Sequence, residues 1–598
     1  MRPERWKLLA LCLATFMLLL DITIVQAALP AIQQRLGGGL TGLQWTVDAY
    51  TLPLAALIIS LGTVADRFGR RTIFLGGVAV FSAASLACGL APSMTALDIG
   101  RAVQGGGGAA MFATTLALVG QEFTGPARGR AILLWGSTVG AAVACGPLLG
   151  GLLTQYATWR WIFFVNVPIG VLTVVVTLRY VGNGRDKTRR RLDVPGLAAL
   201  TAALVLLTGG LLRGSASGWA SSAATASAVA GVVLLASFAV LQRRPAAMLD
   251  RRLLRDRSAA AVSVATVALG AGMFAVILYL TVFLQGALRF SPLAGGLRLL
   301  PVTAPVFLVP LLLRRARISP VSGRLIGAGL TTIAAGLVTM TWAQAGTPWL
   351  RLLPGLLLAG VGVGIANAAI AATALAVLPP NRAGLAAGLS NTCRLGGIAV
   401  GIAALGAVFR AGIGSRVPRA PGPDTAGLVA AGHLDLAARH LGGGLVQAQA
   451  AFSHGLHLLL ATAALTAIVG AVAAFRYIHV GTPPPTGTSR HAGGTHRLNR
   501  PLTATKTGSH TRSGWARSRS VGCGPSPQQP ATESPDSATP AVPTMTSSGG
   551  SATPTPAKSA GTATRTPTRG ARPPAMPSTP PSPQPEPAAS RQQPVDFC

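Results

Sequence analysis

Fourteen apolar windows fill the first 480 residues of the chain, and each is long enough to cross a lipid bilayer. A membrane-spanning helix needs about 20 mostly apolar residues. The windows lie at about 8–30, 43–63, 72–91, 95–119, 130–154, 161–180, 193–213, 222–242, 259–284, 293–313, 321–343, 351–378, 384–409 and 452–476. Only 11% of the 598 residues are charged, too few to cover the surface of a large soluble protein. We therefore predict an all-α integral membrane protein with fourteen transmembrane helices.

The basic residues between the windows predict how the helices are oriented. The formal net charge is +34, which often indicates nucleic-acid binding, but here the bases stand in the short joints between apolar windows. Cytoplasmic joints of membrane proteins collect Arg and Lys. The even-numbered joints carry clusters at 67–71, 128–130, 185–191, 243–257 and 314–317, whereas most odd-numbered joints carry a single base. We expect a multi-pass plasma-membrane protein with both termini in the cytoplasm and no nucleic-acid partner.

Residues 481–598 have the opposite composition. They are rich in Ser, Thr, Pro and Gly and hold almost no aliphatic clusters, so they cannot bury enough surface to offset the entropy of ordering. We predict that this segment is a disordered cytoplasmic tail. Two interpretations stay open: loose attachment of its excess bases to anionic lipid, or a solvated segment without function.

The sequence lacks the patterns that carry enzyme chemistry. It has no phosphate-binding loop, no catalytic-serine motif and no haem or zinc spacing, and its six cysteines are irregularly spaced. The glycine run at 105–108 lies inside an apolar window with no strand before it. We predict no catalytic residue, no cofactor and no metal. Without a nucleotide site, transport would have to use an ion gradient.

Asp21 is the first candidate functional residue, because ionisable residues inside a membrane are costly. It stands within the first window, between Leu20 and Ile22. A carboxylate in apolar surroundings can take up and release a proton near neutral pH, or pair with a cationic ligand. The structural alternative is an ion pair with a base on another helix. We favour Asp21 as a proton-binding site.

Arg101 and Asp98 are the second candidate, a cation and a carboxylate about one helical turn apart in the fourth window. A nearby Arg stabilises the ionised form of a carboxylate, so moving the Arg away would drive proton uptake. The alternative is a static Asp98–Arg101 pair. We expect both residues to take part in proton coupling.

The joint after the second window carries a recognisable pattern. Its members are Gly62, Asp66, Arg67, Gly69 and Arg70. Gly62 permits close helix approach, and Asp66 can accept hydrogen bonds from an Arg or from a helix N-terminus. The joint closely resembles the signature loop of the major facilitator superfamily, known as motif A. The resemblance implies a gating role, in which Asp66, Arg67 and Arg70 latch the outward-facing state.

Two further segments resemble the same superfamily. The segment around Arg101 is similar to motif B, whose Arg is implicated in proton movement. The fifth window predicts a bent helix that packs tightly through small residues, and it resembles motif C, which marks antiporters rather than symporters. Its residues here are Gly140, Gly146, Pro147, Gly150 and Gly151.

Matches at 45–50, 159–168 and 384–394 are similar to the 14-helix drug:proton antiporter family, which includes actinobacterial antibiotic exporters. The resemblance covers about 1–480 and implies the major facilitator fold with a six, two and six arrangement of helices. One departure is at 314–324, where a second complete motif A is missing.

The resemblance also predicts domain boundaries. It implies a six-helix bundle at 1–181, two linker helices at 182–258 and a second six-helix bundle at 259–480, followed by the tail at 481–598. By analogy with the family, the substrate cavity lies between the two bundles. Its expected lining residues are Gln26, Asp48, Tyr50, Asn391 and Arg394.

The function implied by the resemblance is export. We expect a monomeric proton-coupled antiporter that moves drug-like small molecules across the bilayer, with Asp21 as the proton site. Asp48 is placed near the outer mouth, where it would attract cations. Gln26 stands where the family usually has Asn. Two alternatives stay open: an importer of a small metabolite, and a transport-inactive membrane sensor.

Overall fold

A computed structural model of the chain describes residues 3–182, 193–218, 220–244, 256–316, 318–342, 344, 348–377, 383–417 and 424–478. The predicted tail at 481–598 lies outside the described residues. Within the described ranges, fourteen helices are long and apolar enough to cross a membrane. This number confirms the prediction from the apolar windows.

The fourteen helices are numbered here in chain order. They are α1 (Pro3–Leu36), α2 (Leu40–Phe68), α3 (Arg70–Leu90), α4 (Met94–Glu122), α5 (Gly125–Tyr156), α6 (Trp161–Phe164 and Asn166–Tyr180), α7 (Val194–Ser217), α8 (Ser222–Leu241), α9 (Arg257–Ala287), α10 (Pro292–Arg315), α11 (Gly323–Met340), α12 (Leu353–Val377), α13 (Ala383–Gly414) and α14 (Gly444–Tyr477). Two short helices, Thr425–Ala430 and Leu434–Ala438, lie between α13 and α14.

Capping residues fix where several of the helices begin. Ser93 accepts a hydrogen bond from the Ala96 N–H at 3.2 Å, and Ser291 and Ser322 cap α10 and α11 in the same way. Such caps satisfy N–H groups that lack a partner in the first turn. Gly69 has φ +104° and turns the chain directly from α2 into α3.

Small residues set the spacing between helices in both halves of the chain. A Cβ on Gly77 of α3 would lie 2.9 Å from the Gly107 carbonyl oxygen of α4. A Cβ on Gly329 of α11 would likewise lie 2.9 Å from the Gly362 carbonyl oxygen of α12. Glycines allow such backbone contact within a membrane. The two pairs occupy corresponding places, since α11 and α12 follow α3 and α4 by eight helices.

The helices pack in two groups that contact each other. In the first group α1 packs on α5 and α6, and α4 packs on α2 and α3. In the second group α14 packs on α9, α11 and α13, and α12 packs on α10 and α11. The main contacts between the groups are α5 with α10 and α2 with α13.

Helices α7 and α8 form a hairpin outside these two groups. A Cβ on Gly210 would lie 2.4 Å from the Ala228 nitrogen, so the two backbones touch. α7 also packs on α2 and on α13, which belong to different groups. The hairpin therefore lies across the seam between the two groups.

Helix α9 is interrupted by two π-helical segments, Gly270–Phe274 and Phe283–Ala287. Single π turns inside α-helices often occur at functional sites. A Cβ on Gly270 would lie 2.3 Å from the Arg394 carbonyl oxygen of α13. Glycine at this π turn therefore allows the backbones of α9 and α13 to touch at the level of Arg394.

Candidate functional site

Asp21 lies near the middle of α1 and is completely buried. Its carboxylate forms an ion pair with Arg101 of α4, which is 1% exposed. Gln104 and Asn166 donate to the same carboxylate at 2.9 Å and 3.2 Å. The charge of Asp21 is therefore compensated by one cation and two amide donors from helices far apart in sequence.

Arg101 is held from several sides. Its Nε donates to the Thr46 carbonyl oxygen at 3.2 Å, and its Nη1 donates to Gln104 at 2.8 Å. The guanidinium also lies 4.2 Å from the centre of the Tyr50 ring, a cation–π contact. A buried charge is tolerated when it is paired and hydrogen-bonded, and Arg101 meets both conditions.

Sequence reasoning missed the amides of this network. Gln104 and Asn166 both donate to Ser85, at 2.6 Å and 3.0 Å, which links α3, α4 and α6 around Asp21. Gln104 stands in the motif B segment and Asn166 in the match at 159–168. The sequence feature that could have identified both residues is a polar amide side chain inside an apolar window.

Asp98 does not pair with Arg101. Its carboxylate accepts a hydrogen bond from the Thr46 hydroxyl at 3.1 Å, and the ion pair of Arg101 within the described residues is with Asp21. The alternative of a static Asp98–Arg101 pair is therefore wrong, because a carboxylate on another helix is better placed. Thr46 contacts both residues and connects them indirectly.

Asp48 is fully buried, and neither of its carboxylate oxygens has a hydrogen-bond partner. The expectation that it lies near the outer mouth and attracts cations stays a prediction, and its carboxylate is shielded in this structure. One turn earlier on α2, Gln44 donates to the Tyr279 hydroxyl at 2.8 Å and to the Ile402 carbonyl oxygen at 3.1 Å. The turn of α2 that precedes Asp48 therefore lies in the contact between the two helix groups.

Gln26 and Tyr50 are both buried rather than on an open surface. Gln26 is 2% exposed, and its side-chain oxygen has no partner. Tyr50 is completely buried, and its hydroxyl donates to the Leu18 carbonyl oxygen at 3.1 Å. A Cβ on Gly105 would lie 2.3 Å from the Tyr50 carbonyl oxygen, which explains a glycine in the run at 105–108.

Motif A forms a compact ion pair at the joint between α2 and α3. Arg70 donates through Nε to Asp66 at 2.9 Å, and Arg67 lies over the Phe68 ring at 5.3 Å. Gly62, which permits close helix approach, faces Ala113 of α4 in this structure. A Cβ there would meet the Ala113 Cβ at 4.0 Å, an ordinary contact.

Motif C brings α5 into backbone contact with both groups. A Cβ on Gly146 would lie 1.9 Å from the Thr23 hydroxyl, and one on Gly150 would lie 2.5 Å from the Ile24 carbonyl oxygen, both on α1. A Cβ on Gly151 would lie 2.5 Å from the Pro292 carbonyl oxygen of α10.

The remaining motif C residues extend this contact with α10. A Cβ on Gly140 would lie 3.2 Å from the Phe307 Cα. Pro147 contributes its carbonyl oxygen, which lies 2.2 Å from the position of a Cβ on Gly296 of α10. Small residues on both helices are therefore needed for α5 and α10 to touch.

The two groups are sealed at the end where α1 ends and α2 begins, called here the α1–α2 end. Besides Gln44, Gln285 of α9 donates to the Ala27 carbonyl oxygen of α1 at 2.8 Å. Gln155 of α5 accepts from the Leu293 N–H of α10 at 3.1 Å. A cleft of about 400 Å³ at this end is lined by residues such as Gln33, and none of the predicted cavity residues lines it.

Arg394 and Asn391 of α13 lie together in the second group. The guanidinium donates to the Asn391 side-chain oxygen, and at 3.2 Å to the side-chain oxygen of Asn367 on α12. Asn367 was missed from the sequence, because a lone Asn in an apolar window has no motif around it. Both Arg394 and Asn391 are half-buried.

These features agree with a comparison against protein families. A family model described as Major Facilitator Superfamily matches residues 11–402. The chain belongs to the major facilitator superfamily. The match runs from α1 into α13 and therefore includes the Asp21 network, motifs A and C, and Arg394.

Similar proteins of the superfamily are named for resistance and export. Multidrug resistance protein Stp of Mycobacterium tuberculosis is 36% identical over 421 residues, which cover 69% of this chain and 76% of that protein. Puromycin resistance protein pur8 of Streptomyces alboniger is 35% identical, and the match covers 68% of this chain and 82% of that protein. The tetracenomycin C resistance and export protein of Streptomyces glaucescens is 32% identical, and the match covers 70% of this chain and 78% of that protein.

Solved structures show the same fold. A crystal structure of the peptide transporter POT in complex with sulfate has a TM-score of 0.54 at 14% identity, covering 78% of this chain and 93% of that one. A bacterial homologue of the human lysosomal transporter Spinster has a TM-score of 0.53 at 17% identity, covering 79% and 96%. The fold class and the superfamily predicted from the motifs are thus confirmed.

Proposed function

We propose that this superfamily member is a proton-coupled antiporter that exports drug-like small molecules, antibiotics among them, across the plasma membrane. The observation that carries the proposal is the fully buried Asp21–Arg101 pair. An Arg beside a carboxylate stabilises its ionised form, so any movement that separates the pair favours protonation. The names of the similar resistance proteins support the cargo class. The proposal contains no catalytic step, cofactor or metal.

In this proposal the two helix groups are the moving bodies. They correspond to 1–181 and 259–480, and the linker helices at 182–258 lie across the seam between them. A substrate site between two such repeats is typical of secondary transporters. The transporter acts as a monomer.

The alternation of basic residues along the chain supports cytoplasmic termini. The α1–α2 end then faces the outside, and this structure is closed on that side. Opening outward requires α5 to leave α10, which breaks the contacts at Gly151 and Gly296. The Asp66–Arg70 pair then serves as the cytoplasmic latch of the outward-facing state.

The proposed cycle begins with substrate entry from the cytoplasm. After outward opening, a proton from outside binds Asp21 and weakens its bond to Arg101, and the substrate leaves. Asp98, bound to Thr46, is the second carboxylate of the coupling pathway. One proton moving through ~100 mV supplies roughly 2.3 kcal/mol, which supports a gradient of about fiftyfold.

The proposed cavity residues have different tasks. Gln26 and Asp48 each carry a buried oxygen without a partner, which suits groups that bind a ligand or a proton in another state. Tyr50 positions Arg101 through its ring. Asn391 and Arg394 are the proposed cavity residues of the second bundle, where they are hydrogen-bonded to each other.

The test uses inverted membrane vesicles with an acidic interior, in which protons leaving should drive uptake of ethidium or puromycin. Asp21→Asn should insert normally and lose more than tenfold of this uptake, because the neutral amide cannot exchange a proton. Asp435→Asn is the matched control, since that carboxylate is exposed and pairs with Arg289 outside the network.

Three results would contradict the proposal. Unchanged uptake by Asp21→Asn would remove the assigned proton site. Substrate loss from the vesicles, driven by the same gradient, would favour an importer. No movement of any substrate by the wild type would favour a membrane sensor.

A further inference from the structure

The second bundle contains bases but no acids inside the membrane. No Asp or Glu occurs between Arg257 and Pro423. The next acids, Asp424 and Asp435, lie in the segment after α13 and pair with Arg410 and Arg289. A cation within the spanning part of this bundle therefore has no local carboxylate to balance it.

Arg394 is such a cation. It stands well inside α13, its side chain is half-buried, and its two hydrogen bonds go to the neutral oxygens of Asn367 and Asn391. Among the described residues it forms no ion pair. An Arg has five N–H donors, so most of its donors stay free for another acceptor.

The carboxylates of the first bundle do not supply the missing charge. Asp21 is paired with Arg101, Asp66 with Arg70, and Asp98 is bound to Thr46. Asp48 is buried, and because neither of its oxygens has a hydrogen-bond partner it does not bind Arg394. Neutral amide oxygens orient a guanidinium but leave its net charge in a medium where charge is costly. The Arg394 guanidinium is therefore oriented by neutral groups and can still bind an anion.

Residues near Arg394 on α13 contact the first bundle. On either side of Asn391, Gly388 and Thr392 face α2 of the first bundle. Thr392 donates to the Ala55 carbonyl oxygen at 2.8 Å, and a Cβ on Gly388 would lie 3.3 Å from Ile59. Measured along the axis of α13, Arg394 therefore lies within about one helical turn of residues that contact the first bundle.

We propose that Arg394, oriented by Asn367 and Asn391, binds an anionic group of the cargo, such as a carboxylate or an ionised phenol. The planar guanidinium fork matches two oxygen atoms of such a group. This inference rests on the proposed export function and adds the charge class of the substrate to it. It also predicts the electrical sign of transport.

A monoanion leaving in exchange for one entering proton moves two positive charges inward per cycle. A monocation leaving for one proton moves none. A membrane potential that is negative on the cytoplasmic side should therefore accelerate export of an anion and leave export of a cation unchanged. A potassium diffusion potential set with valinomycin separates the two cases in vesicles.

The binding test uses the purified full chain with fluorescein as the anionic probe and ethidium as the cationic probe, followed by fluorescence anisotropy. Arg394→Gln should weaken fluorescein binding at least tenfold, and Arg394→Lys should retain part of it. Ethidium binding by Arg394→Gln should be unchanged or tighter. Arg351→Gln, an exposed Arg before α12, is the matched control.

The outcomes separate this site from the export function. Fluorescein binding that ignores Arg394→Gln, or an equal loss for both probes, would overturn the anion site. Ethidium export without fluorescein binding would also overturn the site while leaving export intact. Arg394-dependent fluorescein binding, with no gradient-driven movement of either probe, would support the site and overturn proton-coupled export.

Discussion

The two bundles share a packing scheme but differ in how each holds an arginine within a membrane-spanning helix. In the first bundle Arg101 is neutralised by Asp21 and surrounded by amides and an aromatic ring. In the second bundle Arg394 has two amide oxygens and no carboxylate. The glycine contacts Gly77–Gly107 and Gly329–Gly362 show that the backbone arrangement is repeated. The difference therefore lies in charge, and in our two proposals the first bundle carries the proton chemistry and the second binds an anionic group of the cargo.

The largest expected effect concerns the stability of the first bundle. Arg101→Met leaves the Asp21 carboxylate buried without its cation, which costs about 3–5 kcal/mol. A large fall in the thermal unfolding temperature of the purified protein should report this loss. The double variant Asp21→Asn/Arg101→Met should recover most of it, because no unpaired charge remains.

The matched change in the second bundle should behave differently. Arg394→Met removes a cation that has no carboxylate partner, so the unfolding temperature should stay the same or rise. A fall as large as that of Arg101→Met would mean that Arg394 has a structural counter-charge. The proposed difference between the bundles, a compensated Arg101 and an uncompensated Arg394, would then be wrong.

The next effect concerns the contact between the bundles. Gly296→Ala would place a Cβ 2.2 Å from the Pro147 carbonyl oxygen, and overpacking of this kind costs about 1–3 kcal/mol. The closed α1–α2 end should become more accessible, measured by labelling of a cysteine introduced at Leu293. Gly136→Ala is the control, since a Cβ there meets nothing within 4 Å. Equal labelling of both variants would contradict the proposed seal.

The smallest expected effect concerns the hydrogen bonds that Gln44 makes between the two bundles. Gln44→Leu removes the hydrogen bonds to Tyr279 and to the Ile402 carbonyl oxygen, worth about 1 kcal/mol each. The same cysteine labelling should increase by about fivefold or more. Gln121→Leu removes an amide that donates to the neighbouring Glu122 side chain on α4, and it should leave the labelling unchanged. A Gln44→Leu variant that labels like the wild type would show that the glycine contacts alone seal this end.

Much of the fold was predictable from composition and motifs. Stretches of about 20 apolar residues can satisfy their backbone hydrogen bonds in lipid only as helices or closed barrels, so the windows predicted the fourteen spans. Motif A predicted the Asp66–Arg70 joint, and motif C predicted tight packing of α5. At Gly62 the motif indicated only that close helix approach is permitted, and the structure shows an ordinary distance to Ala113 there.

The site was predictable only in part. Asp21 and Arg101 stood out because charges are rare inside a membrane, but their mutual pairing was considered only as a general alternative. The local pair Asp98–Arg101 was a competing interpretation, and the fold replaced it with a partner 80 residues away. Asp48 was expected near the outer mouth as a residue that attracts cations, and only the structure shows that its side chain is fully buried.

The sequence by itself determined the membrane class, the number of spans and the short list of ionisable residues within them. These follow from local composition, since each apolar stretch needs lipid or protein around it wherever it lies in the fold. Only the tertiary structure decided which charges are compensated, because ion pairs depend on distances of a few ångströms between helices. It joined Asp21 to Arg101, left both oxygens of Asp48 without partners, and gave Arg394 amide neighbours in place of a carboxylate.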